Sequence, residues 1–310
     1  MHAVILGAGP AGLSCANALH SFGLAAVVIE NRAEIGGAQR ANFHPNLWLL
    51  GAPPDEPGHV MTARMATHFA SLPIAVYRQT ELVAVRRVTS GFEIDLLTPD
   101  EPLTLVAPAL VIATGTRPRS TAALTALAEQ SPAVHLGALT EAERDCYHDR
   151  RVLILGGGDN AFDHARLLAE QGCAVSLCAR GRFNARPHFI AECAAFDRVQ
   201  LHEHCVVSGL TATAHGISAD LGHGVECFDG LICLWGYQPN SEITQRFAPE
   251  LRPHHLPAGH IDTDRWQRTS VPSIYAIGDV TDTPQPSVAV AVAHGLTAAR
   301  AIERHRRTSP

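Results

Sequence analysis

Two glycine-rich strand–turn–helix units, at residues 2–30 and 151–180, predict an α/β chain built from two Rossmann-like three-layer dinucleotide-binding domains. Two observations carry this fold class. Each unit opens on a short apolar strand ("HAVIL", "RVLIL") and turns through G-x-G-x-x-G or its Ala-ended form. Each then runs through a helix into a second apolar strand. The second observation is length, since 310 residues suffice for two ordinary domains with separate cores. A composition of 46% hydrophobic and 17% charged residues is that of a globular chain.

In the first unit Gly7 makes the tight turn, Gly9 lets the backbone approach a pyrophosphate, and Gly12 permits close helix–strand packing. Pro10 and Ala11 lie inside this loop, where the helix start offers unpaired N–H groups and a positive dipole end to phosphates. Glu30 ends the second strand, 23 residues after Gly7, and suits the ribose hydroxyls. Next, "PALVIATGTRPR" (108–119) reads as a buried strand that ends at Thr114 and Gly115.

The second unit repeats the fingerprint over Gly156, Gly157, Gly158, Asp159, Asn160 and Ala161. The 23-residue step from Gly156 lands on Ala179, so no carboxylate stands at that strand end. Arg180, Arg182 and Arg186 cluster there instead. A carboxylate repels a 2′-phosphate and arginines pair with it, so this unit is expected to take NADPH, with NADH possible. The alternative is that the arginines only decorate a surface loop. Further on, "ICLWGYQPNSEI" (232–243) ends a strand with Gly236, Pro239 and Asn240. Finally, "SIYAIGDVTDTPQPSVAVAVAHGLTAA" (273–299) is a strand ending at Gly278 and Asp279, a proline-rich loop, and an apolar helix that begins near Ser287 and Val288.

Several function classes fall away. A net charge of −6 without an extended basic run argues against a nucleic-acid partner, and "RHRR" suits a solvated helix end. Eighteen histidines are scattered, and His254, His255 and His260 lack a helical metal spacing, so no metal site is expected. The eight cysteines never form C-x-x-C. Cys173 and Cys178 bracket a strand that would hold them roughly 16 Å apart. Met1 leads directly into a strand and no apolar run reaches membrane-spanning length, so a cytoplasmic protein without membrane partner is expected.

With these motifs in this order, the chain resembles the low-molecular-weight thioredoxin reductase group of pyridine-nucleotide flavoprotein oxidoreductases over nearly its whole length. The resemblance implies an FAD domain split into residues 1–116 and 242–310, with an NAD(P)H domain, 117–241, inserted between them. It implies a homodimer as well. By the same resemblance, Gly7, Gly9, Gly12 and Glu30 would hold the adenosine and pyrophosphate of FAD. Gly36 and Gly37, followed by Ala38, match the double glycine beside the flavin, and Asp279 matches the aspartate that bonds the ribitol. Backbone N–H groups at Ser287 and Val288 would face the flavin pyrimidine edge, where a helix start stabilises negative charge. His294 in that helix reads as a packed histidine.

The resemblance breaks at the dithiol. Thioredoxin reductases carry C-x-x-C just before the second glycine loop, whereas residues 136–151 here read as a linker that holds Cys146 alone. The C-x4-C of larger disulfide reductases is missing too, since "NRAEIGGAQRANFHPN" has no cysteine. Thiol exchange needs an attacking and a resolving thiol. Cys15 and Cys146 are therefore only candidates for single-thiol chemistry, and Cys15 also reads as a small packing residue. A dithiol-free branch, the ferredoxin/flavodoxin–NADP reductases of thioredoxin-reductase type, is similar over residues 36–45, 49–58 and the "HLGALTE" window. Its members carry a C-terminal extension over the flavin, whereas this sequence stops soon after the last helix.

The expected function is thus an FAD-dependent NAD(P)H oxidoreductase that passes electrons to ferredoxin, flavodoxin or a small acceptor. Hydride transfer demands no side-chain acid or base, so no catalytic residue is assigned beyond the two cysteine candidates. Two alternatives stay open: a single-cysteine thiol–disulfide oxidoreductase, and a non-catalytic nucleotide-dependent sensing flavoprotein.

Overall fold

A computed structural model describes residues 1–42, 49–51, 53 and 56–308. Parts of the two stretches similar to the dithiol-free branch, 36–45 and 49–58, therefore lie outside the described residues. The chain divides into two compact units, Met1–Thr116 with Pro239–Pro310, and Arg117–Gln238. The second crossing lies three residues ahead of the expected 242.

In chain order the first unit begins with β1 (Ala3–Leu6), α1 (Pro10–Ser21), β2 (Ala26–Ile29), α2 (Gly58–Ala70) and β3 (Ala75–Tyr77). An antiparallel meander follows, β4 (Glu81–Val88), β5 (Gly91–Leu97) and β6 (Pro102–Ala107), and then β7 (Ala109–Ile112). At the first crossing lies β8 (Thr116–Pro118). The second unit contains α3 (Ala122–Gln130), β9 (Val134–Leu136), α4 (Glu141–Asp145), β10 (Arg151–Leu155), α5 (Asp159–Glu170) and β11 (Ala174–Cys178). It continues through α6 (Pro187–Ala194), β12 (Val199–His202), the antiparallel β13 (Ser208–Thr213), β14 (Gly216–Asp220) and β15 (Val225–Phe228), and β16 (Gly230–Cys233). At the return crossing β17 (Tyr237–Pro239) pairs with β8, and β18 (Ile274–Ala276) and α7 (Val288–Thr308) complete the first unit.

The first unit is layered on a parallel sheet of order β18-β7-β1-β2-β3. Its strands are continuous apolar runs because both faces are covered. Ala3, Ile5, Ala109 and Val111 point into the core beneath α1 and α7. The alternate residues Val4, Leu6, Leu110 and Ile112 meet Phe92, Ile94 and Leu96 of the meander. Helices, parallel sheet and meander make three layers, and the strand period of two sorts the side chains between the faces. The helix layer is tight, since a Cβ on Gly295 would come within 2.5 Å of Ala11 O.

The second unit has a parallel sheet of order β12-β11-β10-β16-β9. α5 buries Phe162, Ala165 and Leu168. Leu153, Leu155 and Leu231 pack with Leu124 and Leu127 of α3 and with Ile217 and Phe228 of the small antiparallel sheet. The stretch 136–151 proves to be structured rather than a linker. It begins at the end of β9, which pairs with β16, and continues into α4. The spacing T-x-x-E forms a capping box there: Glu143 N–H donates to Thr140 Oγ1 (3.3 Å), and Thr140 N–H donates to Glu143 Oε2 (2.6 Å). Among the described residues no helix is long and apolar enough to cross a membrane.

Candidate functional site

In the first unit the glycine loop joins the end of β1 to the start of α1. Gly7 holds φ +112°, and a Cβ there would lie 2.4 Å from Ala113 O, so both conformation and space require glycine. A Cβ on Gly12 would lie 2.0 Å from Gly7 O, which explains the close passage of α1 over the turn. Gly9 differs, because a Cβ there would meet only Gly37 Cα, at 3.9 Å. Gly9 is the N-cap of α1, with Pro10 following and no side chain capping the helix start. Ala11 is buried beneath it. The helix start thus keeps main-chain N–H groups for an anion, as the fingerprint requires.

Glu30 fixes this cradle. It is 6% exposed, and its Oε2 accepts from Ala8 N–H (2.8 Å) while Oε1 accepts from Arg32 N–H (2.9 Å). An ionised carboxylate has roughly four acceptor sites, so two remain for hydroxyl donors. Gly36 N–H donates to Ala8 O (2.8 Å), which brings the double glycine against the same loop. Gly37 and Ala38 start a short 3-10 turn, and a Cβ on Gly37 would stand 3.0 Å from Gly9 Cα.

Three further segments converge in this unit. Thr114 Oγ1 donates to Asn240 O (2.9 Å), Asn240 Nδ2 donates to Thr114 O (2.9 Å), and Asn240 N–H donates to Gly115 O (2.8 Å). Asn240 thereby clamps the Ala-Thr-Gly end of β7, a role its sequence motif did not reveal. Gly278 N–H donates to His294 Nδ1 (3.3 Å), so His294 on α7 braces the turn that carries Asp279. Burial lowers the His294 pKa and so favours the neutral, accepting imidazole. Asp279 Oδ1 is buried without a hydrogen-bond partner. Burial pushes its carboxyl up, and nearby His260 pulls the other way. Ser287 starts α7: its Oγ accepts from Val290 N–H (3.3 Å) and its carbonyl from Ala291 N–H (2.9 Å), with Val288 as the first helical residue.

These features fit FAD. An unsealed helix start, an anchored carboxylate and a buried acceptor with no protein donor are what a pyrophosphate, a ribose and a ribitol chain would use.

The second unit builds its loop in the same manner. A Cβ on Gly156 would lie 2.6 Å from Leu234 O, whereas one on Gly158 would meet only Asn184 Oδ1, at 3.5 Å. Gly158 caps α5 without a side-chain bond, and Ala161 is fully buried. Gly157 O accepts from Asn184 N–H (2.8 Å) and Ala185 N–H (3.0 Å), so the arginine turn folds back onto the glycine loop. Asn160 O accepts from His164 Nδ1 (2.7 Å), while His164 Nε2 accepts from Leu139 N–H (3.3 Å).

The three arginines make different contacts. The Arg180 guanidinium lies 5.3 Å from the Trp235 ring centre. Arg182 is exposed. Arg186 is committed to the helix start instead: its Nε pairs with Asp159 Oδ2 (2.9 Å) and its N–H donates to Asp159 Oδ1 (2.8 Å). A carboxylate also enters the turn, because Glu203 Oε1 accepts from Phe183 N–H (2.6 Å). Twenty residues separate that pair, so no local pattern announced it. The open Gly158 loop, with Arg180 and Arg182 in the turn and Arg186 at the helix start, fits a dinucleotide phosphate.

The two cysteine candidates sit in different settings. Cys15 is fully buried in the core beneath α1, and burial pushes its thiol up to about 12. Cys146 is exposed at the C-cap of α4, where its thiol donates to Ala142 O (3.2 Å).

The family described as pyridine nucleotide-disulphide oxidoreductase matches residues 1–295. A ferredoxin–NADP reductase of Granulibacter bethesdensis is 31% identical over 309 residues, covering 90% of this chain and 81% of the relative. One from Lactobacillus delbrueckii subsp. bulgaricus is 25% identical, covering 89% and 86%. Among solved structures, T. acidophilum thioredoxin reductase superimposes with a TM-score of 0.82 at 20% identity, over 99% of this chain and 98% of that one.

Proposed function

This chain belongs to the pyridine nucleotide-disulphide oxidoreductase family, and on that premise we propose that it carries electrons from NADPH through FAD to ferredoxin, flavodoxin or a small acceptor, with no protein dithiol between. It is an FAD-dependent NAD(P)H oxidoreductase. The observation that carries the choice of acceptor is the segment from β9 to β10, which folds as strand and capped helix with the single thiol of Cys146. The curated relatives named ferredoxin–NADP reductase support the same choice.

When bound, the flavin accepts a hydride and can release its electrons singly or as a pair. The residues bind and orient. Gly9 and the start of α1 would take the pyrophosphate, and Glu30 the ribose hydroxyls. Asp279 would accept from the ribitol, held in place by the Gly278–His294 bond. The N–H groups at Ser287 and Val288 would offer positive charge to the flavin edge. In the second unit the loop at Gly158 and the arginines 180 and 182 would take NADPH. We also expect a cytoplasmic protein that forms a homodimer, and light scattering of the purified protein measures the dimer.

The test is anaerobic stopped-flow reduction with NADPH, followed by an acceptor screen. NADPH should bleach the oxidised flavin, and ferredoxin, flavodoxin or a quinone should then stimulate turnover. Turnover with thioredoxin that disappears in Cys146→Ser would instead establish thiol chemistry. Failure of both NADPH and NADH to reduce the flavin would establish a non-catalytic role.

A further inference from the structure

Cys178 closes β11 and Cys205 lies 27 residues later, a separation at which no motif joins them. The parallel pairing of β11 with β12 sets Cys178 opposite His202. Beyond β12 the chain turns back along the end of β11. His204 N–H donates to Gly181 O (3.1 Å), and Cys205 N–H donates to Ala179 O (2.9 Å). Both cysteines consequently enter the same apolar cluster. The bond to Ala179 O ties Cys205 to the residue after Cys178, both side chains face the one cluster, and Cys205 Sγ donates to Leu221 O (3.5 Å). Both thiols are free; Cys178 is 3% exposed and Cys205 partly exposed.

The same segment also holds the arginine turn. Glu203 anchors Phe183 N–H, and the bonds from His204 and Cys205 bracket Arg180. We propose that Cys178 and Cys205 form a redox dithiol which a hydroperoxide closes to a disulfide, and that closure displaces the turn from Arg180 to Phe183 and weakens NADP(H) binding. The second half rests on the reading that this turn receives the cofactor.

Cys205 has the solvent access, so its thiolate attacks peroxide oxygen. The O–O bond breaks, hydroxide leaves and takes up a proton as water, and Cys205 becomes a sulfenic acid. The Cys178 sulfur then gives up its proton and attacks the Cys205 sulfur, breaking the S–O bond and releasing a second water. Two thiols lose two electrons in all, and one hydrogen peroxide gains them. Cys178 is buried, so peroxide reaches Cys205 first and Cys178 meets only the sulfenic acid already formed beside it. The disulfide fixes the sulfurs about 2.05 Å apart, so closure pulls the segment 203–205 towards the end of β11.

The FAD-loaded protein is treated with hydrogen peroxide, alkylated and mapped without reduction, and NADP⁺ binding is titrated by difference absorbance before and after. One pair of the eight cysteines should be lost to alkylation, with a peptide joining Cys178 to Cys205. NADP⁺ affinity should fall by at least about fivefold, the low end for coupled sites, and dithiothreitol should restore it. In Cys205→Ser and in Cys178→Ala the link should vanish and NADP⁺ affinity should ignore peroxide. Eight alkylatable thiols after treatment, links confined to other cysteines, or a Cys178–Cys205 link with unchanged NADP⁺ affinity would each overturn the proposal. If the reduced protein binds no NADP⁺ at all, the cofactor reading fails instead, and the peptide map still decides the dithiol.

Discussion

Asp279 carries a cost that only a ligand can repay. One of its carboxylate oxygens is buried without a donor, and an orphaned buried polar atom disfavours the fold around it. Replacing it should therefore move the empty and loaded proteins in opposite directions. Asp279→Ala should raise the melting temperature of the FAD-free protein, because a desolvated carboxyl is removed. It should also weaken FAD binding by about tenfold or more, the scale of a hydrogen bond to a charged acceptor. Flavin content after gel filtration and melting with and without added FAD measure both effects. His294 and Asn240 act on the same site at one remove, since each holds main chain in place: His294 the turn before Asp279, Asn240 the end of β7.

At the level of elements, α5 joins two neighbouring groups with opposite responses to pH. His164 is fully buried, and desolvation lowers its pKa from 6.5 to about 4. Between those values the unfolded chain binds a proton that the folded chain refuses. Stability is thus lost as pH falls from 6.5 towards 4, by up to about 3 kcal/mol. Asp163 runs the other way. Desolvation raises its pKa from 3.8 to about 6, aided by Asp159 and Glu192 and opposed by Arg166 and Arg186. Its folded form keeps a proton longer, so stability is lost as pH rises from 3.8 through 6. The two slopes offset each other over nearly the same window. Asp163→Asn should gain melting temperature relative to the parent at pH 8 but not at pH 4, which exposes the acid loss due to His164. His164→Gln should flatten the acid limb instead. Melting curves at pH 4, 6 and 8 measure these differences; parallel curves for all three proteins would contradict the assignment.

For the whole molecule, each unit has its own parallel sheet and its own core. Loss of FAD from the first unit should therefore leave the second unit's loop intact. The Asp279→Ala protein, stripped of flavin, should bind NADP⁺ within about twofold of the parent, since each loop is built on its own unit's sheet. Calorimetric titration measures this, and a large loss of NADP⁺ affinity would show that the cofactor loops depend on one another. Much of this architecture could be read directly from residue order. The two glycine loops, Glu30, the buried strands and the Gly278–Asp279 turn are local patterns, because a turn, a helix start and a strand end are set by neighbours a few residues apart. Residues 136–151 were misjudged, although their capping box was written in T-x-x-E. What no local pattern could supply are the pairings across long separations. Asn240 meets Thr114, Glu203 meets Phe183, Arg186 turns to Asp159, and Cys178 and Cys205 enter one cluster. By itself the sequence determined two nucleotide loops, their order and the missing C-x-x-C. Tertiary structure alone decided that Arg186 meets Asp159 and that Cys178 and Cys205 share one cluster, because strand register and chain return place side chains that sequence distance keeps apart.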